Sequence, residues 1–223
     1  FQEAARGLIR FIGVAPETGL DRTLDFIREV KGEVSVSLAH TNASYTDAKA
    51  AFDAGACHAV HLFNAMPAFT HREPGVVGAV FDSKHVFAEL ICDGVHIHPA
   101  MVRAAFAMMG SERICLISDS MRAAGMPDGS YTLGGLAVNV SGKHATLAKG
   151  GALAGSVTNL ADCMRTAVKE MDIPLEEAIR CATLNPARAL HLEHRYGSIA
   201  PGKTGNLVLL NPDLSLKQVI VNG

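Results

Sequence analysis

Four residues able to do chemistry, His40, His61, His96 and Asp119, each follow a short apolar run in this 223-residue chain. In His58-Ala-Val-His61-Leu-Phe-Asn64-Ala65-Met66-Pro67, the His61 imidazole lies among Ala59, Val60, Leu62 and Phe63. That is an expensive place for a polar ring without a partner. Taken alone, one such histidine reads as a core residue with satisfied ring nitrogens. Packing accounts for one polar group at the end of an apolar strand; four in register point to a site. Neutral imidazoles on adjacent strands suit Zn²⁺ or another borderline divalent ion. A catalytic ion of that kind keeps one position for water and brings the pKa of that water to about 7. A carboxylate on a further strand, here Asp119, can take the water proton and pass it to a leaving group. The alternative role for Asp119 is a turn or helix cap, since Asp before Ser-Met-Arg can accept from local N–H groups. The spacing matches no local metal signature such as HxH or HExxH, so the ligand reading of His40 and His61 depends on the fold.

The elements that must position these residues alternate along the chain. An apolar run over residues 8–15 predicts a first strand. Leu20, Leu24, Ile27 and Val30 recur at helical spacing after a Thr18 cap, and Gly32 closes that helix. Residues 34–40 predict the second strand, ending in His40. Ser44 and Asp47 form a capping box for a helix from Tyr45 to Ala54, closed by Gly55. Residues 58–63 predict a third strand, and residues 86–92 a fourth, followed by Asp93-Gly94-Val95-His96. Pro99 opens a helix through Met109 with Gly110 as terminator. Residues 113–119 predict a fifth strand. A strand–helix unit of roughly 25 to 30 residues is the pattern of βαβ crossovers and a parallel sheet. In a (β/α)8 barrel the carboxyl ends of the strands form the catalytic face.

Past Asp119 the pattern changes. Residues 120–152 are Gly-rich and hold strand-like pieces at 136–140 and 144–147, which predicts a β-hairpin insertion at about 130–150. Ser156 caps an expected helix over 157–171, and Pro174 starts another to about Leu190. Residues 197–223 read as short strands with Gly/Pro turns, a small β appendage to a main domain over 1–196.

Composition bounds the function. With 48% hydrophobic residues and a mean hydropathy of +0.20, the chain can bury a sizeable core. A net charge of −2 leaves no basic footprint for nucleic acid. No apolar run approaches the roughly 20 residues that span a membrane. Cys57, Cys92, Cys115, Cys163 and Cys181 are odd in number and form no C-x-x-C; they read as buried reduced thiols of a cytoplasmic protein. The amino end is neither a signal peptide nor an initiator-Met sequence, and reads as the interior of a longer chain.

The motifs Ala39-His-Thr-Asn-Ala43, His61-Leu-Phe-Asn-Ala-Met66, His71-Arg-Glu-Pro-Gly75, Asp93-Gly-Val-His96, Ser118-Asp-Ser-Met-Arg-Ala-Ala-Gly125 and Leu153-Ala-Gly-Ser156 occur in one order. Thr183-Leu-Asn-Pro-Ala-Arg188 and Gly197-Ser-Ile-Ala-Pro-Gly-Lys203 follow. The sequence thereby resembles the N-acetylglucosamine-6-phosphate deacetylases of the amidohydrolase superfamily over essentially its whole length. The resemblance implies a divalent-metal-dependent (β/α)8 hydrolase with a small β-sandwich, commonly a homodimer, acting on an amino sugar phosphate. Zn²⁺ is the first choice of ion, with iron, nickel or cobalt as the others. By the same resemblance His40 and His61 match metal ligands, and Asp119 the catalytic acid/base. Asn64, Ala65, Arg72 and His96 match groups holding the sugar phosphate, with Arg72 near the dimer interface. Leu153, Ala154, Gly155 and Ser156 match a loop over the substrate.

The sequence departs from the family in lacking the His-x-Glu-Gly-Pro motif that carries a metal-binding glutamate. Glu17, in Ala15-Pro-Glu17, matches a different motif and does not replace it. In family order the five strands are the fourth to eighth, with strands one to three before Phe1. Two other readings stand beside the deacetylase. A cyclic amidase relative would show an amino-terminal HxH and a carboxylated lysine on the first strand here, and residues 10–15 contain no lysine. A metal-poor sugar-phosphate binder is the non-enzymatic reading, motivated by the absent glutamate. His58, His85, His98, His144, His191 and His194 are expected on the surface or in loops, Met108 and Met109 in a helix core, and Arg188 as a bond between barrel and appendage.

Overall fold

The structure is a computed structural model that describes residues 1–223. It is an α/β fold built on a parallel sheet of β1 (Phe11–Val14), β2 (Ser35–Leu38), β3 (His58–Ala59), β4 (Phe87–Ile91) and β5 (Ile114–Ile117). The spatial order is the chain order, each strand parallel to the next. A doubly wound sheet reverses its strand order at a switch point; an arc of a barrel does not.

Helices α1 (Leu20–Val30), α2 (Tyr45–Ala54), α3 (Gly75–Asp82) and α4 (Pro99–Met109) connect successive strands. Local chemistry sets their ends. Ser44 Oγ accepts from the Asp47 N–H at 3.1 Å, and Gly55 ends α2 at φ 130° with its N–H on Ala51. Pro99 sits at the first turn of α4, where the missing N–H costs nothing, and Gly110 closes it at φ 74°. The first helix differs from expectation: Thr18 belongs to a 3-10 turn, and Gly19 precedes α1. Helix α3 has no sequence counterpart, because Gly75-Val-Val-Gly-Ala-Val-Phe is apolar on every side. Gly75 through Phe81 are all buried, so it shows no polar face to set a period.

Alternation along the strands divides the sheet's faces. Val36, Leu38, Ala59, Ala88, Leu90, Ile114 and Leu116 join the main core, with Ile27, Phe52, Val76, Val80, Val102 and Phe106 from the helices. Ser37, His58, Glu89 and Cys115 alternate with them and face the other side.

Beyond β5, three antiparallel strands β6 (Gly129–Leu133), β7 (Leu136–Ser141) and β8 (His144–Leu147) form a separate sheet. The expected hairpin is present and has gained β6, whose mostly exposed residues left no periodic signal. Met121, Ala123, Val138, Val140, Ala145 and Ala154 give it its own small core.

Helix α5 (Leu160–Glu170) starts later than expected: its cap is Asn159, whose Oδ1 accepts from Asp162 N–H at 3.0 Å, and not Ser156. The helix expected from Pro174 to Leu190 is two, α6 (Leu175–Ala182) and α7 (Leu184–Ala189), divided at Thr183. Pro186 lacks an N–H and its ring would press on the carbonyl four residues back. Met109 is buried but Met108 is 46% exposed, so only one of the pair is core. Arg188 bonds Glu112 at 2.7 Å, within the domain and not to the appendage. The appendage is an antiparallel ribbon, β9 (Leu207–Leu210) and β10 (Leu216–Ile220).

Gly197 sets the turn between α7 and that ribbon. Its φ is +88°, and a Cβ there would stand 2.8 Å from Leu184 Cα and 2.9 Å from Thr183 O. Gly197→Ala therefore meets both a left-handed backbone and a backbone clash. It should lower unfolding stability by more than about 1 kcal/mol, read as a lower urea midpoint at unchanged m-value.

Candidate active site

All four chemical positions lie past the carboxyl ends of the parallel strands. His40 is two residues beyond β2, His61 two beyond β3, Asp119 two beyond β5, and Asp93 to His96 follow β4. The three residues two past a strand end share a conformation rare outside glycine: φ is 48° at His40, 34° at His61 and 49° at Asp119. Such backbone costs of order 1–3 kcal/mol per residue and persists only where the surroundings enforce it. All three lie at one edge of one sheet.

His40 and His61 converge. Their Nε2 atoms are 3.1 Å apart, with the rings edge to face at 87°. Two Zn–N bonds of about 2.1 Å at a tetrahedral angle put their nitrogens roughly 3.4 Å apart, so one ion fits between them. His61 is buried and His40 exposed, which leaves the ion position open on one side. No third His, Cys, Asp or Glu joins the pair; the donors present fit a divalent ion and would supply two of its ligands.

Carboxylates hold the segments that carry these rings. After His40, the fully buried Thr41 donates its hydroxyl to Glu17, and Asn42 N–H reaches the other oxygen at 2.6 Å. Partial desolvation works against Glu17 ionising, but these donors outweigh it and keep its carboxyl below the usual range. Glu17 thus positions the loop after His40. At His61, Glu89 Oε2 accepts the backbone N–H at 3.1 Å, while Oε1 lies 2.9 Å from His58 Nε2. His58 is consequently a buried partner, 3% exposed, and not the surface residue expected. Sequence reasoning passed over both His58 and Glu89. The alternation of polar Ser37, His58 and Glu89 with apolar neighbours was the available signal.

Asn64 follows directly, its N–H on His61 O at 2.9 Å, with Ala65 at φ 49°. Arg72 and His71 are exposed in the connection to α3. His96 pairs through Nδ1 with Asp93 at 2.7 Å, leaving Nε2 for a ligand. Asp93 also accepts the N–H groups of Val95 and His96, each at 2.9 Å.

Asp119 is exposed. Its backbone carbonyl, not its carboxylate, accepts from Ser156 N–H at 2.7 Å. The capping role fails on that geometry, because the side chain is left for other work. Ser156 also donates its hydroxyl to Ser118 O, and its carbonyl accepts from Met121 N–H at 2.8 Å. Ala154 N–H bonds Ala145 O at 3.0 Å. The Leu153–Ser156 loop is therefore stitched beside Asp119, with Gly155 at φ +62° passing 3.1 Å from Asp119 O at its would-be Cβ.

Burial opposes ionisation of Asp93, yet the His96 ring and the two N–H groups prevail and hold its pKa below the ordinary value. A folded pKa below the unfolded value of about 3.9 means that the unfolded chain binds the proton more readily. Stability from Asp93 is then fully present above about pH 4 and lost as pH falls through the folded pKa. Unfolding midpoints measured below pH 4 should fall less steeply for Asp93→Asn than for the wild type.

A family model described as "Amidohydrolase family" matches residues 5–223. An N-acetylgalactosamine-6-phosphate deacetylase of Escherichia coli O157:H7 is 42% identical over 96% of this chain and 56% of its own length. An N-acetylglucosamine-6-phosphate deacetylase of Vibrio furnissii is 40% identical over 95% and 52%. The chain thus spans about half the length of these relatives. A mutant N-acetyl-D-glucosamine-6-phosphate deacetylase from Mycobacterium smegmatis, solved in complex with N-acetyl-D-glucosamine-6-phosphate, superposes with a TM-score of 0.93 at 38% identity, over 100% of this chain and 58% of that one. With its model match, these relatives and a paired-histidine edge on a parallel sheet, the chain belongs to the amidohydrolase family.

Proposed function

We propose that this chain serves a metal-dependent deacetylase that converts N-acetylglucosamine 6-phosphate to glucosamine 6-phosphate and acetate. The observation that carries the reading is the 3.1 Å approach of the His40 and His61 Nε2 atoms at the carboxyl edge of the sheet. The relatives named for this activity support the substrate class. In this reading the five strands are the fourth to eighth of a (β/α)8 barrel, and β9–β10 is part of a small sandwich. Val208, Leu216 and Val219 are more than half exposed on that ribbon, the apolar face that a second layer of a sandwich would cover.

His40 and His61 would hold a divalent ion, which would supply an acidified water and a polarised acetyl carbonyl; Zn²⁺ is the first choice and iron, nickel and cobalt the others. Asp119 accepts the water proton as the carbon–oxygen bond forms. It returns that proton to the amine nitrogen as the carbon–nitrogen bond breaks. The Leu153–Ser156 loop, fixed beside Asp119 by Ser156, orients the sugar. Asn64, Ala65 and His96 line the same edge, His96 through the nitrogen that Asp93 leaves available. Arg72, exposed on its loop, offers a planar fork for phosphate oxygens, and we place it near the interface of a homodimer. Cys57, Cys92, Cys115, Cys163 and Cys181 are all free thiols, which supports a reducing compartment such as the cytoplasm.

A second substrate has its own support: N-acetylgalactosamine 6-phosphate, the C4 epimer, appears in the names of two relatives, each 42% identical. Values of kcat/KM for the two epimers decide between them; a larger value for the galacto epimer would replace the first reading.

Asp119→Asn in the full-length enzyme should fold, bind metal and substrate, and lose turnover by about 10² to 10⁴-fold. Near-normal turnover would remove Asp119 from the mechanism. Arg72→Ala should weaken binding of the phosphorylated sugar far more than of its unphosphorylated counterpart, measured as separate Kd values; equal losses would count against the phosphate role.

A further inference from the structure

Regular pairing of β3 ends at Ala59, which is in register with Leu38 of β2 and Ala88 of β4. Val60 N–H still donates to Leu38 O at 2.9 Å. Beyond it β3 is tied to β4 through a single residue, Glu89. Its main-chain carbonyl takes Leu62 N–H at 2.8 Å, and its carboxylate Oε2 takes His61 N–H at 3.1 Å.

The carboxylate is itself held. Oε1 lies 2.9 Å from His58 Nε2. A carboxylate only accepts, so that ring nitrogen donates. The His58 ring is 4.8 Å from that of Phe11 and 6.4 Å from that of Phe87, so packing from β1 and β4 fixes it. Glu89 is thus clamped at one oxygen and clamps His61 with the other, at the residue whose φ of 34° needs an external restraint.

We propose that Glu89, anchored by His58, is a positioning residue for the metal centre: it holds the His61 backbone in its left-handed conformation and so aims the imidazole at the position shared with His40. The inference rests on the metal-centre reading given above. Residues that orient ligands in this way typically govern metal affinity by about 10 to 100-fold. Glu89 acts through the main chain of its ligand and not through the ring, whose Nδ1 is buried without a hydrogen-bond partner.

The test measures Co²⁺ affinity by chelator competition and the visible absorption of the bound ion in the full-length protein. Glu89→Met keeps the volume and removes both acceptors; Glu89→Gln keeps an amide oxygen for His61 N–H. The expected result is a loss of about 10 to 100-fold in Co²⁺ affinity for the Met variant, an altered spectrum, an unchanged far-UV circular dichroism spectrum, and recovery of most of the affinity in the Gln variant. A folded Met variant with wild-type affinity and spectrum overturns the proposal. So does a Met variant that fails to fold, which a purely structural Glu89–His58 pair predicts, or a Gln variant as weak as Met. A His40→Ala control isolates the premise: if wild-type Co²⁺ binding is absent or survives that change, the metal-centre reading falls with the inference, whereas loss of binding in the control keeps the premise and leaves Glu89 to be judged alone.

Discussion

The left-handed backbone step at the end of three parallel strands is the constraint on which the site depends. A strand leaving its ladder in extended conformation carries its next side chains to alternate faces. A residue at positive φ turns the chain instead, and His40, His61 and Asp119 all take that turn two residues beyond their strands. The turn is unfavourable for any residue with a Cβ, so something must hold it. At His40 the loop beyond is tied to Glu17, at His61 the peptide itself is tied to Glu89, and at Asp119 the carbonyl is tied to Ser156. Each restraint comes from an element distant in sequence, so the site forms only when the elements assemble.

The sheet serves two environments at once. Its helix-covered face is apolar and closely packed, and supplies most of the burial that stabilises the domain. The opposite face carries Ser37, His58, Glu89 and Cys115, polar or polarisable groups that would be costly against the helices. Desolvation, with the nearby Glu89 charge adding to it, pushes the Cys115 thiol well above its ordinary range. Burial also raises Cys163 and Cys181 to about 12 each. Thiols this reluctant to ionise are poor nucleophiles.

Support for the fifth strand comes from both sides. Asn185, fully buried, donates to Ser111 O at 2.6 Å and Ile114 O at 2.7 Å, and so ties α7 to the start of β5. Arg113 donates to the carbonyls of Val80, Ser83 and Val86, at 3.3, 2.9 and 3.0 Å, gathering the end of α3 and the entry to β4 against β5. With β5 fixed at its amino end, the bonds of Ser156 at its carboxyl end set where Asp119 stands. Asn-Pro-Ala-Arg, conspicuous in the sequence, serves this purpose through Asn185, while Arg188 pairs with Glu112.

The sequence by itself determined what depends on short-range chemistry and period: the five strands of an α/β sheet, the Ser44 cap and Gly55 stop of α2, the Pro99 start and Gly110 stop of α4, and the placement of His40, His61, His96 and Asp119 after apolar runs. Its motif order also pointed to the family. Tertiary structure decided the rest, for reasons that sequence neighbours cannot encode. Helix α3 is hidden because full burial removes the polar face that reveals a period. The course of the chain after β3 depends on Glu89 of the neighbouring strand, and the division of α6 from α7 on Pro186 acting against a carbonyl one turn away. The roles of His58 and Glu89 exist only because residues 31 positions apart lie side by side on adjacent strands. Whether two histidines 21 residues apart form one site is a matter of where their rings point, and only the packed sheet brings their nitrogens to 3.1 Å.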